Sequence, residues 1–78
     1  MTIEQVRKVY EARPFRPFIM HLADGRGIAV QHNEYIALSP TGRTVIVYQP
    51  DESFNVVDLL LVTDLEFTTN GKSKRRRA

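Results

Sequence analysis

From Phe18 to Phe67 the apolar residues recur at every second position, and almost every such run is cut short by a turn signal. A period of two sends successive side chains to opposite faces, which is the requirement of short strands with one buried face and not of a helical body. In FIMHLADG, Phe18, Met20 and Leu22 point one way and Ile19, His21 and Ala23 the other, and Asp24-Gly25 supplies the positive φ angles of a tight hairpin. RGIAVQ returns with Ile28 and Val30 inward; EYIALSP is a third strand, closed by a turn at Pro40-Thr41-Gly42. RTVIVYQ, dense in β-branched residues, is a fourth. After a turn at Pro50-Asp51-Glu52-Ser53 come FNVVD and VTDLEF, joined by Leu59–Leu61, which predicts a single helical turn that buries leucines. Five or six short antiparallel strands at a spacing of roughly nine residues predict a strongly bent small sheet curling toward a barrel.

The first residues follow a different period. Thr2 with Gln5 three positions later forms a capping-box pattern, and Ile3, Val6, Val9 and Tyr10 recur at helical spacing. This predicts one amphipathic helix over residues 3–12, ended by Pro14, which disfavours the helical conformation at Arg13. The helix covers one open end or face of the sheet, giving a mainly β, α+β fold. ARPFRPF, residues 12–18, interleaves arginine with aromatic rings as a nucleic-acid surface does. Its position between helix and first strand instead predicts a corner in which Phe15 and Phe18 are buried. The remaining roles for this stretch are a PxxP ligand, or Arg13 and Arg16 as phosphate contacts beside an exposed Phe15.

A chain of 78 residues forms one small domain, here residues 1–69, followed by a basic tail over 70–78 that is expected to be disordered. The formal charge of +2 averages two unlike parts. Lys72, Lys74, Arg75, Arg76 and Arg77 stand in the tail, while the rest carries six cations against all nine carboxylates, about −3. A polyanion is attracted by the tail and repelled, on average, by the domain. There is no cysteine, hence no disulfide, thiolate site or cysteine nucleophile. The N-terminus lacks the apolar stretch of a secretory signal, and the longest apolar run, Leu59–Val62, is too short to span a bilayer, so a cytoplasmic protein is expected.

No motif signals catalysis. His21 and His32 are the only histidines and stand on different strands, with His21 facing outward, so neither a metal site nor a triad is expected. Asp64 and Glu66 share a strand face and discourage edge pairing. Asp58, in the most apolar part of the chain, is expected to cap the Leu59–Leu61 turn. The glycines mark turns, with no phosphate-cradling loop. Cofactor, metal and small-molecule sites are therefore not expected, and the chain reads as a non-enzymatic binding or self-association module. Nucleic-acid contact through Arg13, Arg16, Lys72, Lys74, Arg75, Arg76 and Arg77, assisted by Arg26 and Arg43, is the alternative, the tail binding RNA weakly; a merely solubilising tail fits the same residues.

Two resemblances follow from these residues. ARPFRPFIMHLADGR, VQHNEYIALSPTGRTVIVY and VVDLLLVTDLEF together resemble a group of small bacterial proteins of about this length, over residues 3–67; the resemblance implies no activity. The order of elements, an N-terminal helix, PFIMHLADG opening a bent antiparallel sheet, then a short turn and last strand, is similar to the Sm-like fold of the bacterial RNA chaperone family. That resemblance implies an SH3-like barrel, ring assembly through edge strands and RNA binding at a pore. The family's Tyr-Lys-His signature falls near VVDLL, where Asp58 replaces a cation, so no RNA-contacting residue carries over.

Overall fold

The computed structural model describes residues 1–68. Helix α1 spans Ile3–Tyr10, and its capping box is complete: Gln5 N–H donates to Thr2 Oγ1 at 3.3 Å, and Thr2 N–H donates to Gln5 Oε1 at 2.9 Å. The helix is two residues shorter than its sequence pattern predicts. Pro14 disfavours the helical conformation at Arg13, and the helix ends ahead of it at its C-cap Glu11, at φ −91° and ψ 0°, whose amide makes the closing bond to the Arg7 carbonyl.

Six strands follow: β1 (Phe18–Leu22), β2 (Gly27–Val30), β3 (Ile36–Leu38), β4 (Thr44–Tyr48), β5 (Phe54–Asp58) and β6 (Val62–Phe67). They form two three-stranded antiparallel sheets, ordered β2-β1-β6 and β3-β4-β5. One continuous bent sheet is thus replaced by two. The break lies between β2 and β3, where Asn33–Tyr35 form a 3₁₀ turn that His32 closes by accepting the Tyr35 amide at 3.0 Å. A turn at this point ends the ladder, because its backbone groups bond locally instead of to a neighbouring strand. This also shortens the third strand, whose expected first residues Glu34 and Tyr35 belong to the turn. A second 3₁₀ turn, Leu59–Leu61, carries the chain from β5 to β6 as the leucine run predicts, but it buries Leu59 alone: Leu60 and Leu61 face solvent instead of the core.

The three hairpins share one device. Gly25 (φ 95°), Gly42 (φ 76°) and Glu52 (φ 74°) occupy the left-handed region near the end of each loop. In the β1–β2 and β4–β5 hairpins this is a short loop whose last residue turns the strand back into register. The positive angle at the first hairpin belongs to Gly25 alone and not to Asp24, whose carboxylate instead accepts the Arg26 amide.

The inward positions of both sheets meet the helix in one core. Val6 of α1, Phe18, Met20 and Leu22 of β1, Ile28 and Val30 of β2, Val45 and Val47 of β4, with Ile36, Val57, Leu59 and Val62, are all buried. Ile3, Val9, Tyr10, Phe15, Leu38 and Leu65 pack against them. No polar or charged residue is buried among the described residues, so the interior carries no desolvated charge that would need a partner.

Candidate functional site

β4 alternates Val45 and Val47 toward the core with Thr44, Ile46 and Tyr48 on the opposite face, and β5 continues that outer face with Phe54, Val56 and Asp58. The register aligns Ala37 with Ile46 and Ile46 with Val56 in one row, and Tyr48 with Phe54 in the next. The Tyr48 and Phe54 rings pack with centroids 6.0 Å apart. Among the described residues β5 has no further strand beside it, and Phe54 and Val56 are 59% and 63% exposed. The result is an apolar sheet face open to water, of the kind that marks interaction sites when contiguous.

Hydrogen-bond parity fixes which backbone groups β5 offers. Leu59 N–H donates to Arg43 C=O and Gln49 N–H donates to Ser53 C=O, each at 2.9 Å, so the bonded pairs across β4 and β5 run through Val45–Val57 and Val47–Asn55. The alternate residues of an antiparallel pair direct their N–H and C=O away from that partner. On β5 these are Phe54, Val56 and Asp58, the same residues whose side chains form the outer face.

The other sheet edges differ. On β2 the Ala29 carbonyl is taken by Gln49 Nε2 at 3.2 Å. β3 is only three residues long. β6 carries Asp64 and Glu66 on its outer face, and at its far end Arg16 lies 4.2 Å over the centroid of the Phe67 ring. β2, Gly27–Val30, is as uncharged as the first four residues of β5, Phe54–Val57, but β5 alone of the two has large exposed apolar side chains, Phe54 and Val56, along it.

Asp58 closes the β5 edge in the role expected of it. Its Oδ1 accepts the Leu60 amide at 3.0 Å and Arg43 Nε at 3.3 Å. The Leu60 amide, and after it the Arg43 guanidinium, hold this carboxyl below the ordinary value of 3.8. Asp24 and Asp51 are lowered in the same sense, Asp24 chiefly by the Arg26 amide and Asp51 by the Ser53 hydroxyl and amide. All three carboxylates are fasteners of turns.

The residues considered for chemistry stay apart. His21 Nε2 meets Glu66 Oε1 at 2.7 Å on the exposed face of β1 and β6, so Glu66 is a partner of histidine and not simply a solvated edge charge. His32 packs edge-on against Tyr35, with centroids 5.1 Å apart. It also borders a surface groove of about 400 Å³ floored by β1 and β2, whose lining contains no carboxylate to orient it. Among the described residues no group of three or more histidines, cysteines or carboxylates could hold a metal.

The arginines divide clearly. Arg7, Arg26 and Arg43 pair with Glu11, Asp24 and Asp58 at 3.9, 3.0 and 3.3 Å. Arg13 and Arg16 are exposed and form no ion pair among the described residues, while Phe15 packs on Phe18, with centroids 6.1 Å apart, against the core. ARPFRPF is therefore a corner with its aromatic rings turned inward; the ring that Arg16 covers is Phe67, distant in sequence. Lys72, Lys74, Arg75, Arg76 and Arg77 lie outside the described residues. The outer-face cluster of Ile46, Tyr48, Phe54 and Val56 is what sequence reasoning missed, although the absence of any charge at the outward positions of VIVY and FNVV was its signal.

Among the described residues no helix is long and apolar enough to cross a membrane. No known protein family, curated protein or solved structure matches the chain.

Proposed function

We propose that this chain is a small, non-enzymatic binding or self-association module that engages an extended strand along the free edge of β5. In this reading its helix and paired sheets are an SH3-like or Sm-like scaffold left open at that edge. The observation that carries the reading is the coincidence, on Phe54, Val56 and Asp58, of backbone groups that no strand among the described residues takes up with a largely apolar, exposed outer face. Strand addition uses those two features together, main-chain bonds for affinity and alternate side chains for specificity. An edge of this kind is an aggregation hazard unless it is short, charged or covered, and β5 has no proline, lysine or bulge to guard it.

Molar mass by light scattering over a hundredfold range of concentration tests the reading. The parent chain is expected to exceed the mass of one copy, or else to take up an added extended peptide; a Val56→Lys variant loses both. A parent that stays monomeric and binds no strand sinks the proposal. A second reading, RNA or another polyanion held by Arg13, Arg16 and the cations of residues 72–77, is supported by the segregation of charge between tail and domain.

A further inference from the structure

We infer that the strand received by β5 is the β5 of a second copy, paired antiparallel about a two-fold axis through Val56. The inference rests on the self-association reading and makes it specific. The groups that face the free edge belong to Phe54, Val56 and Asp58, a set symmetric about Val56. A two-fold there places Val56 opposite its own copy and Phe54 opposite Asp58 of the second chain. The two Val56 residues then exchange both of their backbone bonds, and each Asp58 N–H reaches the Phe54 carbonyl across the axis. Every one of these contacts obeys the parity already set by β4.

Charge and side-chain chemistry favour the same arrangement. Phe54–Val57 carries no charge, so no like charges oppose across the centre, where Val56 meets Val56 beside Ile46 of each copy. Asp58 enters already neutralised by Arg43, and the Phe54 ring of the second copy lies over that pair. The isologous contact closes after two copies and joins the two β3-β4-β5 sheets into one of six strands. Pairing of β5 with the next copy's β6 is the competing geometry. It would set a strand carrying Asp64 and Glu66 beside one carrying Asp58, adding carboxylates to the seam.

The cysteine-free sequence permits a direct test. Bonded antiparallel neighbours stand about 5.5 Å apart at Cα, within the roughly 4.4–6.8 Å window of a disulfide. The two Phe54 residues would stand four residues apart along the strand, about 13 Å. Full-length Val56→Cys should therefore cross-link to a covalent dimer on mild oxidation, and Phe54→Cys should not. The amides of Val56 and Asp58 should exchange more slowly as concentration rises. Val56→Lys should weaken the dimer by about tenfold or more, while Val56→Thr, which keeps a β-branched side chain on the same backbone bonds, should retain it. Because Val56 is exposed, both variants are checked for an unchanged circular dichroism spectrum. A dimer in which Val56→Cys fails to link, one in which Phe54→Cys links equally well, or an assembly of three or more copies overturns this geometry and leaves self-association standing. A parent that is monomeric at every concentration overturns both.

Discussion

Val6 is the single residue of α1 that is fully buried, and it meets core side chains contributed by both sheets. Truncation to alanine removes two methyl groups, worth about 1.6 kcal/mol at ~0.8 kcal/mol per carbon. A cavity on the order of 50 Å³ that fails to collapse adds about 1 kcal/mol more. The expected loss is therefore about 1.5–3 kcal/mol, against a total stability of roughly 3–10 kcal/mol for a domain of this length. Such a loss lowers the melting temperature by roughly 8–20 °C. Urea and thermal unfolding followed by circular dichroism measure it, with Lys8→Ala on the exposed side of the same helix as the control, expected within about 0.5 kcal/mol of the parent. An unchanged urea slope would locate the effect in the folded state. If Val6→Ala costs no more than the control, the helix is not part of the shared core, and the account of the domain as a helix closing two sheets fails.

Glu52→Gly relieves a left-handed backbone that glycine occupies in the other two hairpins, and should raise stability by about 0.5 kcal/mol after glycine's entropic cost; a lower urea midpoint contradicts this. Thr2→Ala should cost about 1 kcal/mol through loss of the helix cap, whereas Thr2→Ser should be close to neutral, both read from urea midpoints. Asp58 titrates below its ordinary 3.8 in the folded chain, so its contribution is present above that value and disappears as pH falls through the lower folded one. Asp58→Asn should accordingly lower the melting temperature at pH 7 and narrow its distance from the parent as the pH drops below about 4; a constant offset across that range refutes the assignment.

The elements were legible where local rules decide them. The capping box at Thr2 and Gln5, the glycine turns and the alternation of β1, β2 and β4 each depend on residues close in sequence, and each appears in the structure. The cap on Leu59–Leu61 was legible for the same reason, since Asp58 stands two residues before the Leu60 amide it accepts. Two features were not. The division into two sheets depends on whether β2 and β3 share a ladder, and Asn33–Tyr35 can be accommodated either as a bulge or as a turn without changing the hydrophobic pattern. The candidate site was hidden because alternation predicts which face a residue takes, not whether another strand lies beside it. Phe54 and Val56 become conspicuous only once β5 is known to be an edge.

The same pairing argument bears on polyanion binding, because an arginine already held by a carboxylate is a poor phosphate contact. Arg26 and Arg43 are so held, leaving Arg13 and Arg16 as the exposed arginines of residues 1–68 without a carboxylate partner, and Arg16 is already stacked on Phe67. Two phosphate contacts give a log-log salt slope for single-stranded RNA of about −1.4, whereas five tail cations give about −3.5. Full-length chain should therefore bind a single-stranded RNA with a slope nearer the steeper value, and removal of residues 71–78 should abolish most of the affinity while the thermal transition persists. Retention of a steep slope and of sequence preference after that deletion would place the RNA site on the domain. Weak, tail-dependent binding would instead leave β5 as the domain's own means of recognition.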